Sequence, residues 1–126
     1  MPKITVYQKP TCTTCRQVTV VLKESGVDFN AVDYYLEPIP RAKLKELLGK
    51  MGITAKDLLR KKETAYKELK FDEKNYSEVE ILDLMTIYPD LIERPIVEWG
   101  EWAVLARPVE KIKEFLAGTT NPQQVS

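Results

Sequence analysis

The chain has 126 residues, with 19 basic and 19 acidic side chains and therefore zero formal net charge. That length bounds it to one domain with a single substantial core, and the balanced charge excludes general affinity for nucleic acid or an anionic membrane surface. No apolar stretch approaches the roughly 20 residues needed to span a bilayer, and the opening Met1-Pro2-Lys3 carries no signal-peptide pattern.

Lys3 to Gln8 alternates apolar and polar residues, with Ile4 and Val6 on one face, and reads as a strand. The turn Gln8-Lys9-Pro10-Thr11-Cys12-Thr13-Thr14-Cys15-Arg16 follows it. From Thr13 the pattern is helical: Val18, Val21 and Leu22 share a face, and Ser25-Gly26 closes the segment. The β-branched residues between Val18 and Val21 divide the propensity, and the distance from Cys15 to Gly26 decides for a helix. Phe29 to Tyr34 reads as a second strand, giving a βαβ unit that is right-handed by default. Glu37-Pro38-Ile39-Pro40 then breaks the chain. A helix from Arg41 to about Lys50 carries the stripe Leu44, Leu47 and Leu48, and Gly52 stops it.

The middle third holds shorter helical patterns. Thr54-Ala55-Lys56-Asp57 caps one that runs through Leu58-Leu59 toward Arg60, and Lys62 to Leu69 is a second, with Tyr66 and Leu69 inward. Ser77-Glu78-Val79-Glu80 is a capping box opening a stronger helix through Ile81, Leu82, Leu84, Met85 and Tyr88, which Pro89 ends. Arg94 to Trp99 is a strand containing Pro95, Gly100-Glu101 a turn, and Trp102 to Ala106 its antiparallel partner. Arg107-Pro108 begins a last helix, Val109 to Leu116, and the polar stretch 118–126 reads as a frayed tail. The sum is an α/β chain in the thioredoxin-like order: a βαβ redox half over 1–36, an all-helical insertion over 37–90, and a ββα half over 91–117.

The chemistry concentrates in Cys12-Thr13-Thr14-Cys15. At the first turn of a helix, free backbone N–H groups and the positive end of the helix dipole stabilise a thiolate, and a lowered thiol pKa makes a cysteine reactive near neutral pH. Cys-x-x-Cys also reads as half of a metal site. Zinc takes four ligands, whereas this chain has two cysteines and no histidine, so the redox reading leads and no metal is expected. The absence of further cysteines to staple the fold suits a reducing cytoplasm. Tyr34, Tyr35, Tyr66, Trp99 and Trp102 read as core or edge packing rather than a stacking surface, and Lys61-Lys62 as a solvated helix end.

With the cysteine turn, the helical insertion and Arg94-Pro95-Ile96 in this order, the chain resembles the arsenate reductase/Spx family, small glutaredoxin-like proteins with a helical insertion. The likeness runs from Ile4 to about Leu116 and includes Tyr7-Gln8-Lys9-Pro10-Thr11-Cys12, Tyr35-Leu36-Glu37, Met51-Gly52-Ile53, Leu58-Leu59-Arg60-Lys61, Glu93-Arg94-Pro95-Ile96-Val97 and Ala106-Arg107-Pro108. The resemblance implies that Cys12 attacks arsenate, that Arg60, Arg94 and Arg107 surround the oxyanion, and that Pro95 is a cis-proline beside the sulfur. Guanidinium groups suit that work because they bind tetrahedral oxyanions through planar, charge-assisted forks. Taken singly, Arg60 also reads as a helix-end residue meeting carbonyls or solvent, and Arg94 as a surface residue.

Two departures widen the reading. Cys15 stands where reductases of this type typically carry serine, and Gln8 where they often carry histidine; Cys-x-x-Cys is the form shown by the Spx-type regulators, which bind RNA polymerase. Arg107-Pro108 resembles the reductases instead. The leading expectation is a cytosolic, monomeric arsenate reductase with Cys15 as resolving thiol. A Cys12–Cys15 disulfide would be reversed by thioredoxin or by glutaredoxin with glutathione, and no cofactor would be bound. Arg16 is either a further thiolate-stabilising residue or a solvated helix residue. The alternatives are a redox-switched regulator of the Spx type and a small protein or glutathione disulfide reductase.

Overall fold

The computed structural model describes residues 3–117. Four strands form one sheet: β1 (Ile4–Gln8), β2 (Phe29–Asp33), β3 (Ile96–Trp99) and β4 (Trp102–Leu105). Their order is β2-β1-β3-β4, with β2 parallel to β1 and both other pairings antiparallel. The parallel pair requires the crossover helix α1 (Thr13–Glu24), and the antiparallel pair needs only the turn at Gly100, whose φ of 63° suits glycine. Between β2 and β3 lie α2 (Arg41–Met51), α3 (Ala55–Leu58), α4 (Thr64–Glu68), α5 (Glu78–Ile87) and a 3-10 turn at Pro89–Leu91; α6 (Glu110–Leu116) closes the described chain. This is the thioredoxin-like βαβ–insertion–ββα architecture. No helix among the described residues is long and apolar enough to cross a membrane, and the expected tail at 118–126 lies outside them.

Strand periodicity sorts the side chains into two layers. Ile4 and Val6 of β1 and Val97 of β3 pack with Val18 and Leu22 of α1 and with Ile112 and Phe115 of α6. On the opposite face Tyr7, Ile96 and Ala103 meet the insertion through Leu44, Leu47, Leu58, Tyr66 and Met85. One polar group interrupts that second layer. Glu98, 8% exposed, accepts from Tyr7 Oη at 3.1 Å, Lys43 Nζ at 2.9 Å and Lys50 Nζ at 2.5 Å, and so pins α2 to the sheet. Burial and the adjacent carboxylate push the Tyr7 phenol up to about 12, so it stays a donor.

Several boundaries differ from expectation, each for a local reason. The helix from Thr54 stops at Leu58, because Leu59 leaves it to form an antiparallel bridge with Ile92. Arg60 N–H donates to Leu91 O at 2.8 Å and Glu93 N–H to Leu58 O at 2.9 Å. Arg60 therefore sits on a short extended segment, not at a helix end. Lys61 and Lys62 are exposed in the turn that follows, also not a helix end, and α4 begins only at Thr64, after the extended N-cap Glu63, whose N–H closes that turn on the Arg60 carbonyl at 3.4 Å. Pro95 has no N–H for the ladder, so β3 starts at Ile96. The last helix starts at Glu110 rather than Val109.

Candidate active site

Cys12 is the N-cap of α1, in extended backbone conformation (φ −78°, ψ 125°), and its sulfur accepts from the Cys15 backbone N–H at 3.4 Å. The sulfur takes the place that a serine or aspartate oxygen holds at an ordinary helix start. No acidic residue stands in the first turn of α1 to oppose an anion there. Arg107 approaches from the far end of the chain, with Nη1 4.0 Å from Cys12 Sγ. Partial burial pushes the Cys12 thiol up, but hydrogen bonds from the Cys15 thiol and backbone and from Arg94 and Arg107 outweigh it and bring the pKa to about 7.

Cys15 lies one turn further on, fully buried at 0% exposure. Burial is the main reason its pKa is raised, and the hydrogen bond to Cys12 and the negative charge of that sulfur add to it. The pair is thus split into an accessible thiolate and a buried thiol held as a donor toward it. Both are free cysteines.

The three arginines arrive from three segments. Arg94 precedes the cis peptide to Pro95, in agreement with what the resemblance implies; Arg107 precedes a second cis peptide, to Pro108, which the sequence did not announce. Arg94 is 5% exposed. It donates through Nη1 to Tyr35 Oη at 3.4 Å, while its buried Nε–H has no acceptor among the described residues. A surface role for Arg94 is thereby overturned. Arg107 Nη1 also donates to the Arg94 carbonyl at 3.1 Å, which fixes the two relative to each other. Arg60 joins through carboxylates. Its Nε donates to Glu63 Oε1 at 2.7 Å and its Nη1 to Glu93 Oε1 at 3.3 Å. The same Glu63 oxygen lies 3.9 Å from Arg94 Nη2, and Glu93 Oε2 lies 3.8 Å from Arg107 Nε.

Arg16 stays outside this cluster. It is exposed and donates through Nη2 to the Thr11 carbonyl at 3.4 Å. Tyr35 belongs to the surroundings of the site, where sequence reasoning assigned it to packing: its hydroxyl donates to Asp90 while accepting from Arg94, and Lys9 Nζ sits 4.9 Å above its ring. Tyr34 is core, as expected, with its hydroxyl on the Ile92 carbonyl at 3.1 Å. Glu63 and Glu93 were not anticipated either, since a carboxylate near an arginine in the chain reads as ordinary surface charge.

A nucleophilic sulfur at a helix N-terminus, a second thiol one turn behind it and a rim of guanidiniums can bind a tetrahedral anion and carry out thiol redox chemistry on it. Comparison with known proteins agrees. The ArsC family matches residues 7–115. An arsenate reductase of Escherichia coli K12 is 35% identical over 116 residues, covering 92% of this chain and 82% of that protein. Among solved structures, a putative arsenate reductase from Yersinia pestis superposes with a TM-score of 0.84 at 35% identity, covering 89% of this chain and 99% of that one. The arsenate reductase from Vibrio cholerae superposes with a TM-score of 0.85 at 29% identity, covering 90% of this chain and 97% of that one.

Proposed function

This chain belongs to the ArsC family, and on that premise we propose that it is a thiol-dependent arsenate reductase in which Cys12 is the nucleophile and Cys15 the resolving thiol. The observation that carries the reading is the Cys12 sulfur itself, capping α1 and lying 4.0 Å from the Arg107 guanidinium. The thiolate and the oxyanion it attacks need the same positive surroundings. Arg94 and Arg107, which both lower the Cys12 pKa, bind the oxyanion next to the sulfur, and Arg60 completes the rim.

The reaction runs in two steps. The Cys12 thiolate forms a sulfur–arsenic bond as one arsenic–oxygen bond breaks, and that oxygen leaves as water with protons from the substrate hydroxyls and solvent. Cys15 then gives its proton to solvent and attacks Cys12 Sγ. The sulfur–sulfur bond forms, the sulfur–arsenic bond breaks, and its electron pair stays on arsenic. Two thiols become one disulfide while arsenic(V) becomes arsenic(III), so the two electrons balance. The first step prepares the second: once Cys12 is in the adduct its negative charge is gone, and with it two of the causes that raise the Cys15 pKa.

A redox partner returns the disulfide to two thiols. Thioredoxin, or glutaredoxin with glutathione, supplies the two electrons by thiol–disulfide exchange at Cys12, the partly buried and more accessible sulfur of the pair. We place the reaction in the cytoplasm, where such donors keep thiols reduced. Nothing in the mechanism requires a second copy of the chain.

The test is arsenate-dependent NADPH consumption, run with glutathione, glutaredoxin and glutathione reductase, and separately with thioredoxin and its reductase. Turnover in at least one system, abolished by Cys12→Ser, is expected. Absence of turnover in both, with a readily formed Cys12–Cys15 disulfide, would overturn the reading in favour of a redox-switched regulator or a general disulfide reductase.

A further inference from the structure

We propose that Glu63 and Glu93 make the arginine site selective for oxyanions that carry a proton, so that arsenate and phosphate are accepted and sulfate is rejected. The inference rests on the oxyanion reading above and extends it to specificity. The two carboxylates lie inside the arginine rim. Glu63 Oε1 is 2.7 Å from Arg60 Nε and 3.9 Å from Arg94 Nη2, while Glu93 reaches Arg60 Nη1 at 3.3 Å and Arg107 Nε at 3.8 Å. Each guanidinium of the set therefore already has a carboxylate beside it. A receptor built only to attract negative charge has no use for acidic groups there, since they offset two of its three positive charges.

Carboxylates do have a use when the ligand bears hydroxyl groups. An ionised carboxylate can only accept hydrogen bonds. Against a bare anionic oxygen it is repulsive, and against an O–H it forms a short charge-assisted bond. Near neutral pH arsenate keeps at least one hydroxyl and so does phosphate, whereas sulfate keeps none. These three tetrahedral anions are similar in shape, and the guanidiniums alone do not separate them. Protonation is the property that Glu63 and Glu93 can read, because an anion held between Arg60, Arg94 and Arg107 has these two carboxylates as neighbours. Arsenate is then separated from phosphate by chemistry, as only arsenic is reduced by the thiols, and phosphate acts as a competing ligand.

The experiment is calorimetric titration at pH 7 of the Cys12→Ser protein, which cannot turn arsenate over, with arsenate, phosphate and sulfate in turn. The Cys12→Ser/Glu63→Gln and Cys12→Ser/Glu93→Gln proteins are titrated in parallel, with circular dichroism to verify that each is folded. Sulfate is expected to bind at least about tenfold more weakly than phosphate to the Cys12→Ser protein, because a site that pairs with a hydroxyl discriminates strongly against a ligand lacking it. A glutamine, which donates as well as accepts, should bring sulfate to within about threefold of phosphate. Equal binding of sulfate and phosphate to the Cys12→Ser protein, or the same gain for all three anions in the glutamine variants, would overturn the proposal while leaving arsenate binding intact. Failure of all three anions to bind to any of these proteins would overturn both the selectivity and the oxyanion reading.

Discussion

At the scale of the residue, the account turns on the protonation of two sulfurs. Cys12 has its pKa brought down to about 7 while burial raises that of Cys15. Alkylation by iodoacetamide should therefore occur at Cys12 alone, since only the thiolate reacts. Its rate should rise as pH passes upward through about 7 and fall away below, where the thiol is protonated. Arg107→Ala removes a donor from the sulfur and should move that midpoint upward by about one unit; an unchanged midpoint would show that Cys15 and Arg94 hold the charge without it. Arg60, Arg94 and Arg107 could be named only through the family resemblance, and Cys12 and Cys15 directly, because thiols at Cys-x-x-Cys spacing stand out in a chain without histidine. Glu63, Glu93 and Tyr35 could not. Glu93 meets Arg60 across 33 positions of chain, and no periodicity encodes such a contact.

At the scale of the element, what matters is how remote positions are brought to one place. The bridge from Leu59 to Ile92 sets Arg60 opposite Leu91, from where its side chain reaches Glu93, next to Arg94 in the chain. The sequence offered Arg60 as a helix end because the capped pattern from Thr54 continues through two leucines. The short helix yields because pairing with the segment after Pro89 satisfies its backbone groups just as well. Caps, by contrast, could be read directly: the Ser77–Glu80 box forms as its spacing requires. Ser77→Ala should cost about 1 kcal/mol in urea unfolding. Glu98→Ala is the harsher change, since it strands the Tyr7 hydroxyl and leaves Lys43 and Lys50 only their partners at the edge of the core, Glu46 and the Gly100 carbonyl. It should cost about 2 kcal/mol, with the lysines' partial exposure limiting the loss. A loss under about half of that would mean the network is a solvated surface feature.

At the scale of the whole molecule, one four-stranded sheet carries α1 and α6 on one face and the insertion on the other. The two apolar layers share the same strands, with Val6 and Tyr7 facing opposite sides of β1. The chain should therefore unfold as one cooperative unit. Trp99 and Trp102 pack on the α1–α6 side, so their fluorescence reports that layer, whereas far-UV circular dichroism is weighted toward the helices of the insertion. The two probes should give one midpoint in urea, and Leu22→Ala and Leu58→Ala, one in each layer, should shift both probes together by about 2 to 5 kcal/mol each. Separate midpoints would make the insertion an independent unit. The sandwich could be anticipated because strand alternation and helix stripes are local signals. The approach of Arg107 to the Cys12 sulfur came only with the resemblance, because no local signal encodes a contact across 95 positions of chain.

The measurement that bears most directly on the central claim is a single turnover. The protein is reduced, freed of all small thiols, and mixed with excess arsenate in the absence of any reductant. If Cys12 attacks and Cys15 resolves, about one arsenite should form per chain, together with a Cys12–Cys15 disulfide seen by mass spectrometry, and none should form with Cys12→Ser or Cys15→Ser. Absence of arsenite from the reduced native protein, or its formation undiminished by Cys15→Ser, would contradict the account.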